Sequence, residues 1–242
     1  MNSKAKNAED VASKLALVHD FFSGTGPTYD FIVNVATLGI DHWWKRTIIG
    51  AIPTEPNRVL DLACGTGILT FAIARRFPHC QVVGVELRDE YLQIARAKAE
   101  SLGLKNVEFV LSRAEDYASE QNFDCVVSSY LAKYADLPLL TRNTKNMLTE
   151  GGLLLMHDFT YPPNAILVGI WRVYFKLLQL FGTPLYPAWR EIFYGLPDLI
   201  ERPRWRDELL SALDANGFET IRSRNLTLYG SAIVTAERPA RN

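Results

Sequence analysis

Short apolar runs alternate with helix-like segments along the middle of the chain, and this alternation restricts the fold more than any other feature. The run Gln81–Glu86 (QVVGVE), for example, precedes Asp89–Leu102, whose apolar residues recur at helical spacing until Gly103. Strands that are apolar on both faces are typical of a parallel sheet covered by helices on both sides. The sequence therefore predicts a doubly wound, Rossmann-like α/β domain whose ligand lies at the carboxyl ends of the strands.

The bounds of the elements follow from the same alternation and from glycine and proline breaks. Strands are predicted at Asn57–Ala63, Gln81–Glu86, Val107–Leu111, Phe123–Ser129, Gly152–Phe159, Phe218–Arg222 and Leu228–Ala236. Helices are predicted over 9–50, with a break at Ser23–Pro27, and at Ile68–Phe77, Asp89–Leu102, Leu137–Leu148, Ala165–Phe181 and Arg206–Asn216. We expect one domain over 1–242, with a helical N-terminal cap over 1–50 and a helical insertion over 163–205.

Composition and charge exclude several classes of protein. A formal net charge of −1 and a pI of about 6.4 provide no general attraction for nucleic acid, so no such partner is expected. Cys64, Cys80 and Cys125 lack metal-ligand spacing, so we expect buried thiols and no metal site. The polar N-terminus lacks a secretory signal, and no apolar run reaches the ~18 residues of a membrane span. A cytoplasmic protein is expected.

A glycine loop directly after the first predicted strand is the most informative motif. Residues Asp61–Gly67 (DLACGTG) join this strand to a helix, and glycine lets backbone N–H groups approach a ligand there. Glu86 ends the second strand, where a carboxylate can accept hydrogen bonds from both ribose hydroxyls. Together Asp61, Gly65, Gly67 and Glu86 indicate a nucleoside-binding site.

Two cofactors compete for this site. A dinucleotide requires the pattern GxGxxG, whose third glycine permits close packing beside the pyrophosphate, and Thr70 occupies that third position here. S-adenosylmethionine (SAM) has no phosphate, and Asp61 suits its positively charged methionine end. The sequence therefore predicts SAM as the cofactor and S-adenosylhomocysteine as the product, with a nicotinamide dehydrogenase as the alternative.

Short motifs spread along nearly the whole chain, roughly from Phe22 to Ala236, carry a family resemblance. They are Phe22 with Tyr29-Asp30, Gly39-Ile40, Trp44-Lys45-Arg46, Val59–Ala63, Gly65–Gly67, Phe123–Cys125 with Ser129, Gly151-Gly152, Asp158–Thr160 with Pro162, Gly217–Glu219 and Asn225–Thr227. Their order and spacing resemble the ubiquinone/menaquinone C-methyltransferase family of the class I SAM-dependent methyltransferases. The resemblance implies a seven-stranded sheet with a final antiparallel strand, and methyl transfer to a ring carbon of a quinol.

The resemblance also implies which side chains border the cofactor. Besides the four residues named for the nucleoside site, these are Tyr29, Ala63, Leu87, Ala114, Glu115 and Ser129. The chain departs from the family after the fourth strand, where the family's Gly-Leu-Arg-Asn is Leu131–Tyr134, and Asp41 stands in place of a histidine. That segment borders the acceptor pocket, so the departure concerns the methyl acceptor more than the cofactor.

Carbon methylation of a phenolic ring requires a base, because the ring carbon attacks well only after a neighbouring hydroxyl has lost its proton. Asp158, at the end of the fifth strand, is the first candidate for this base or for a hydroxyl acceptor. Lys133 is predicted to stabilise the phenolate, and Tyr130 and Tyr134 to line or orient the ring. Structural roles stay open, with Asp158 as a turn cap and Lys133 as a solvated residue. His157 alternates with Asp158 along the strand and is interpreted as a core histidine.

The segment 165–181 (AILVGIWRVYFKLLQLF) predicts an unusually apolar helix whose polar members, Arg172, Lys176 and Gln179, form one narrow stripe. Three roles are open for this helix. It covers the core, or it closes over a lipophilic substrate as part of the acceptor-side insertion 163–205, or it rests peripherally in a membrane interface. A prenylated quinol would suit the last two roles. O- or N-methylation of another aromatic metabolite, a noncatalytic SAM-binding protein and a homodimer remain open alternatives at this level.

Overall fold

A seven-stranded sheet lies at the centre of the computed structural model, which describes residues 14–201 and 204–240. Its strands are β1 Arg58–Leu62, β2 Gln81–Glu86, β3 Val107–Leu111, β4 Phe123–Ser129, β5 Leu148–Phe159, β6 Glu219–Leu226 and β7 Ser231–Glu237. The order is β3-β2-β1-β4-β5-β7-β6, with β1 to β5 parallel and β7 antiparallel to both of its neighbours. The predicted doubly wound sheet with a final antiparallel strand is confirmed.

Helices cover both faces of this sheet. They are α1 (residues 14–22, as far as described), α2 Tyr29–Ala36, α3 Ile40–Ala51, α4 Ile68–Arg76, α5 Asp89–Ser101, α6 Leu137–Met147, α7 Ala165–Leu177, α8 Thr183–Leu185, α9 Arg190–Glu201 and α10 Trp205–Ala215. Adjacent strand residues such as Val59 and Leu60 belong to different cores: Leu60 packs with residues of α6 and α10, Val59 with residues of α3 and α4. Burial on both faces explains why these strands are apolar throughout.

The N-terminal cap is helical where it is described, with a break at the expected place. Helix α1 ends at residue 22, a short 3₁₀ turn spans Gly26–Thr28, and α2 and α3 follow. Residues 1–13 of the predicted cap lie outside the described part of the chain. Glu90 of α5 accepts hydrogen bonds from the backbone N–H groups of Gly24 (3.3 Å) and Gly26 (3.2 Å). The break is thereby tied to the sheet domain.

The insertion after β5 contains more helix than the sequence predicts. Helix α7 continues through a π-helical turn, Leu178–Gly182, into α8, and α9 then occupies a part of the predicted helical insertion for which the sequence predicted no helix bounds. The sequence did not predict α9 because it contains Gly195 and Pro197, and both residue types have low intrinsic helix propensity. The apolar side of α9 packs against α1 and α2, and this tertiary burial stabilises the helix despite its low propensity.

Two members of the predicted polar stripe contact α9, although Arg172 and Lys176 remain exposed. Arg172 pairs with Glu201 of α9 at 2.6 Å, and Gln179 donates to the Phe193 carbonyl of α9. The outer side is apolar, and its exposed members are Ile166, Ile170, Val173, Leu177, Leu180, Phe181 and Leu185. By length and composition alone, the continuous helix Ala165–Leu185 could cross a membrane, which a count of uninterrupted apolar residues did not reveal.

The C-terminal strands have different bounds from those predicted. Strand β6 extends to Leu226, and the expected start of the last strand, Leu228, lies in the connecting turn. Thr227, Leu228 and Tyr229 all adopt positive φ, a conformation that strand propensity does not anticipate. The turn is stabilised from outside, because Trp44 Nε1 donates to Thr227 Oγ1 at 2.7 Å.

Candidate active site

The glycine loop between β1 and α4 is held in a left-handed turn. Ala63, Gly65 and Gly67 all have positive φ, and a Cβ at Gly67 would collide with the ring of Phe71. Glycine is therefore required at position 67 by both backbone conformation and space. The loop lies at the carboxyl edge of the parallel strands, where doubly wound sheets bind their ligands.

Glu86 ends β2 beside this loop and is almost fully buried. Its two carboxylate oxygens accept hydrogen bonds from the backbone N–H groups of Gly65 and Arg88, both at 2.9 Å. Burial raises the pKa of Glu86, while the backbone donors oppose that rise. Each oxygen keeps a further acceptor site, so the carboxylate can still bind a diol.

Asp61 lies in β1, directly before the loop, and is also buried. Its Oδ2 accepts a hydrogen bond from Thr70 Oγ1 at 2.6 Å. Burial raises the pKa of Asp61 to about 7, against the hydrogen bond from Thr70 and the charge of Lys45. A cationic ligand group nearby would favour the ionised form. The buried Asp61 carboxylate therefore fits a cofactor that carries a positive charge.

A cavity of about 120 Å³ opens at this edge of the sheet, and we name it the sheet-edge cavity. Of the ten cofactor residues predicted from the sequence, Asp61 and Gly67 do not line it. The other eight do: Tyr29, Ala63, Gly65, Glu86, Leu87, Ala114, Glu115 and Ser129. The sequence analysis missed Arg88 and Tyr91, which line the cavity at the start of α5. Their position shortly after Glu86, the acidic residue that ends β2, could have indicated them.

The N-terminal cap closes one side of the sheet-edge cavity. Phe22 lines the cavity from α1, and Asp30 of α2 accepts hydrogen bonds from Thr66 of the glycine loop and from Lys98 Nζ (2.5 Å). Thr25 Oγ1 shares a hydrogen bond of 2.5 Å with the Tyr91 hydroxyl. These contacts join the cap to the loop and to α5, so the cap forms part of the site.

A second cavity of about 200 Å³ lies on the far side of a group of rings, and we name it the helical cavity. Its walls come mainly from α2, α7 and α9 and are almost entirely apolar. Among the described residues that line it, Lys133 is the one lysine or arginine. Four residues line both cavities and form what we call the aromatic boundary: Phe22, Tyr29, Tyr130 and Tyr134. Two ligands in the two cavities would therefore meet at these rings.

Lys133 and Asp158 form a buried ion pair beside the helical cavity. Lys133 Nζ donates to Asp158 Oδ1 at 2.5 Å and lies 4.7 Å from the ring centre of Tyr134. Burial lowers the pKa of the Lys133 ammonium, and the adjacent Asp158 carboxylate opposes that decrease. Asp158 itself is fully buried and lines neither cavity. Its placement differs from that of a base in direct contact with a ligand in either cavity.

A second buried ion pair, on α3, was missed in the sequence. Lys45 Nζ donates to Asp41 Oδ1 at 2.7 Å and to Ser129 Oγ at 3.0 Å. The Tyr130 hydroxyl donates to the same Asp41 oxygen at 2.5 Å. Tyr130 has a φ of 71°, a conformation that costs a bulky residue roughly 1–3 kcal/mol and that clusters at functional sites.

His157 lies in the core, as the alternation along β5 predicted. Its Nδ1 shares a hydrogen bond of 3.0 Å with Ser129 Oγ, while its Nε2 has no partner within the described residues. Burial, reinforced by the charges of Lys45 and Lys133, lowers the pKa of His157 well below its usual range. The ring is therefore neutral at physiological pH.

Comparison with solved structures shows that methyltransferases share this fold. A geranyl diphosphate methyltransferase, solved with GPP and sinefungin, superposes with a TM-score of 0.57 at 14% identity, covering 81% of this chain and 78% of that one. Phosphoethanolamine N-methyltransferase 2 from Haemonchus contortus, solved with SAM, reaches 0.60 at 16% identity over 81% of this chain and 52% of that one.

The ubiE/COQ5 methyltransferase family model matches residues 7–237, and the chain belongs to that family. A demethylmenaquinone methyltransferase from Thermus thermophilus is 31% identical over 90% of this chain and 100% of that protein. A ubiquinone/menaquinone biosynthesis C-methyltransferase UbiE from Shewanella frigidimarina is 30% identical over 88% of this chain and 87% of its own length. The predicted family, enzyme class and SAM cofactor are confirmed.

Proposed function

We propose that this enzyme methylates a ring carbon of a lipophilic quinol. The observation that carries this function is the helical cavity, which is apolar except for a buried lysine and adjoins the sheet-edge cavity along a shared boundary of rings. An apolar pocket with few polar groups suits a greasy aromatic ring. Relatives named for demethylmenaquinone and ubiquinone/menaquinone methylation support the choice of a quinol.

In this proposal the sheet-edge cavity holds the cofactor through the residues predicted for it. Glu86 accepts hydrogen bonds from the ribose hydroxyls, and Asp61 provides negative charge behind the glycine loop for the methionine end. Tyr29 and Ser129 border the cofactor where it faces the acceptor. SAM, when bound, supplies an electrophilic methyl group on a positively charged sulfur. The protein contributes alignment and a matched electrostatic environment.

At the acceptor end, Lys133 stabilises the negative charge that develops on the phenolic oxygen. Asp158 lines neither cavity, and its 2.5 Å ion pair holds the Lys133 ammonium in place. It therefore acts through Lys133 in this proposal and is no longer the first candidate for the base. Tyr130 and Tyr134 orient the ring at the boundary between the two ligands.

The proposed architecture is one methyltransferase domain with two additions that complete the site. The N-terminal cap, predicted over 1–50, provides Phe22 and Tyr29 to the boundary between the cavities. The insertion, predicted over 163–205, provides Trp171, Phe175 and Phe193 to the helical cavity. Neither cavity is closed by the sheet domain alone, so both additions belong to the functional unit.

We further propose that the outer face of α7 and α8 rests on a membrane surface, with the enzyme otherwise in the cytoplasm. This face is apolar and exposed, whereas the opposite side of the same helix lines the helical cavity. Phe31 of α2 extends the exposed surface, because its ring contacts that of Tyr186 beyond α8. A prenylated acceptor could enter from lipid without its chain crossing water.

Labelled SAM incubated with demethylated quinols and with other phenols and amines tests the reaction. Carbon-methylated quinol supports the proposed function, and methyl transfer only to oxygen or nitrogen of other aromatics would replace it. SAM binding without any transfer would indicate a noncatalytic protein. Quantification of the products by mass spectrometry also identifies the methylated atom.

Vesicle co-sedimentation tests the membrane surface, with Ile170→Glu and Val173→Glu as variants of the exposed face. Both should reduce binding to vesicles while leaving SAM affinity unchanged, because neither residue lines a cavity. Glu191→Gln, an exposed position on α9, serves as a control. If the wild type sediments as a dimer that dissociates in these variants and does not bind vesicles, the face is a homodimer interface instead.

A further inference from the structure

Among the residues of the aromatic boundary, Tyr130 is distinguished by a hydrogen bond from its hydroxyl to a buried carboxylate. The Tyr130 ring lines both cavities, and its hydroxyl donates to Asp41 Oδ1, which also accepts from Lys45. Asp41 and Lys45 are nearly fully buried on α3. One hydroxyl therefore connects a buried carboxylate to the place where the two ligands would meet.

The two buried carboxylates near the helical cavity differ in their donors. Asp158 accepts from Lys133 Nζ (2.5 Å) and from the backbone N–H groups of Lys133 (3.2 Å) and Phe159 (2.8 Å). None of these donors is a hydroxyl that can give its proton to the carboxylate and accept another from a phenol. Asp41 has such a donor in Tyr130. Of the two carboxylates, Asp41 is thus the one linked to the cavities by a hydroxyl.

Tyr130 is also held rigidly at this point. Its ring stacks on Phe159 with centroids 4.7 Å apart and planes 15° from parallel. Lys45 Nζ lies 4.3 Å and Lys133 Nζ 5.5 Å from its ring centre, and the neutral His157 ring lies 5.3 Å away. Burial raises the pKa of Tyr130 well above its usual range, and Asp41 raises it further. Tyr130 is therefore a neutral phenol that donates to the Asp41 side chain.

We propose that Tyr130 and Asp41 together take the proton from the acceptor's hydroxyl, an inference that rests on the methylation of a phenolic ring proposed above. The acceptor's O–H bond breaks as its proton forms a bond to Tyr130 Oη, while the proton of Tyr130 moves to Asp41 Oδ1. The electron pair left on the acceptor oxygen is shared with the ring carbon and makes it nucleophilic. Lys45 and Lys133 offset the negative charge before and after the transfer. Once the methyl group is bonded, the ring carbon releases its hydrogen to solvent as a proton, and the proton held by Asp41 returns through Tyr130 to the acceptor oxygen.

Steady-state kinetics of Tyr130→Phe and Asp41→Asn test this assignment with two quinols of similar shape, one acidified by ring fluorine. On the parent quinol kcat should fall by roughly 10²–10⁴, with SAM affinity unchanged. On the fluorinated quinol the loss should be less than about tenfold, because an acidic hydroxyl depends less on a base. Equal losses on both quinols, or no loss, would overturn the proposal. Asp214→Asn, an exposed position on α10, should match the wild type on both.

Folding is controlled separately, because Asp41→Asn leaves Lys45 buried without a counter-charge. The double variant Asp41→Asn/Lys45→Met removes both charges, and Tyr130→Phe keeps the stack on Phe159 and loses only the hydroxyl. A chromogenic phenol, 4-nitrophenol, provides a readout without turnover. At a pH below its free pKa it should show phenolate absorbance with the wild type and not with Tyr130→Phe. If the wild type gives no such signal, the proposed role of Tyr130 and Asp41 is wrong. If the signal appears but no quinol is methylated, only the assignment of a quinol as the substrate is wrong.

Discussion

The two cavities on either side of the aromatic boundary are built and charged in different ways. The sheet-edge cavity takes its polar groups from strand ends and backbone, such as Glu86 with the N–H groups of Gly65 and Arg88. The helical cavity is made mainly by side chains of three helices, with Lys133 as its charged group. A nucleoside must be oriented by directional hydrogen bonds, whereas a greasy ring is held by burial and requires charge only where its oxygen ionises.

The largest effect that would test this contrast is expected at Lys133. Lys133→Met should lower kcat by about 10², because a cation beside the developing phenolate is lost. It should also destabilise the fold by roughly 3–5 kcal/mol, since Asp158 is left buried without a counter-charge. Urea unfolding and initial rates measure the two effects separately. Lys133→Met/Asp158→Asn should recover most of the stability and none of the rate; recovered activity would remove Lys133 from the reaction.

The next effect concerns the hydrogen-bonding cavity. Glu86→Ala should weaken SAM binding at least tenfold, about 1.4 kcal/mol, because two charge-assisted hydrogen bonds to the ribose are lost. Titration calorimetry measures the affinity, with Glu108→Ala on the exposed side of β3 as the control. Unchanged affinity in a folded Glu86→Ala variant would show that Glu86 does not bind the ribose.

The charge behind the glycine loop should make cofactor binding depend on pH. Burial raises the pKa of Asp61 to about 7, so SAM affinity should fall about tenfold for each pH unit below that value. Native Asp61 holds its proton up to about pH 7, whereas the unfolded chain releases it near pH 4. The native state therefore binds more protons between these values, and the ligand-free protein should lose stability as pH rises through them.

Calorimetry and thermal unfolding between pH 5 and about 8 measure these two trends. Asp61→Asn should flatten both of them, because the amide does not titrate. A wild-type affinity that is independent of pH across this range would mean that Asp61 does not sense the cofactor's charge.

The smallest effect is expected at the wall of the helical cavity. Trp171 lines this cavity from α7 and contacts Phe175, with ring centres 4.7 Å apart. Trp171→Ala should raise KM by several-fold for long-tailed acceptors, because burial of apolar surface contributes roughly 25 cal/mol per Å². For truncated acceptors KM should change little. Equal changes for both would reduce α7 to ordinary core packing.

The contrast between the cavities also separates what could be predicted from the sequence. The strand, glycine loop and helix around Asp61–Gly67 are consecutive in the chain, and Glu86 follows at the end of the neighbouring strand. Such local order is visible as hydrophobic periodicity and glycine spacing. For that reason the sheet, its cofactor class and eight of the residues around the sheet-edge cavity could be inferred without coordinates.

The helical cavity depends on contacts between distant segments, which no local pattern specifies. Tyr130 and Asp41 are 89 positions apart, and their hydrogen bond exists only because α3 packs at the end of β4. Alternation along β5 separates His157 from Asp158, yet only the packed loop after β4 turns Lys133 onto the Asp158 carboxylate. Periodicity therefore determined which residues are buried and where the nucleoside site lies. Tertiary packing alone decided which buried charges became partners, because an ion pair depends on distance in space.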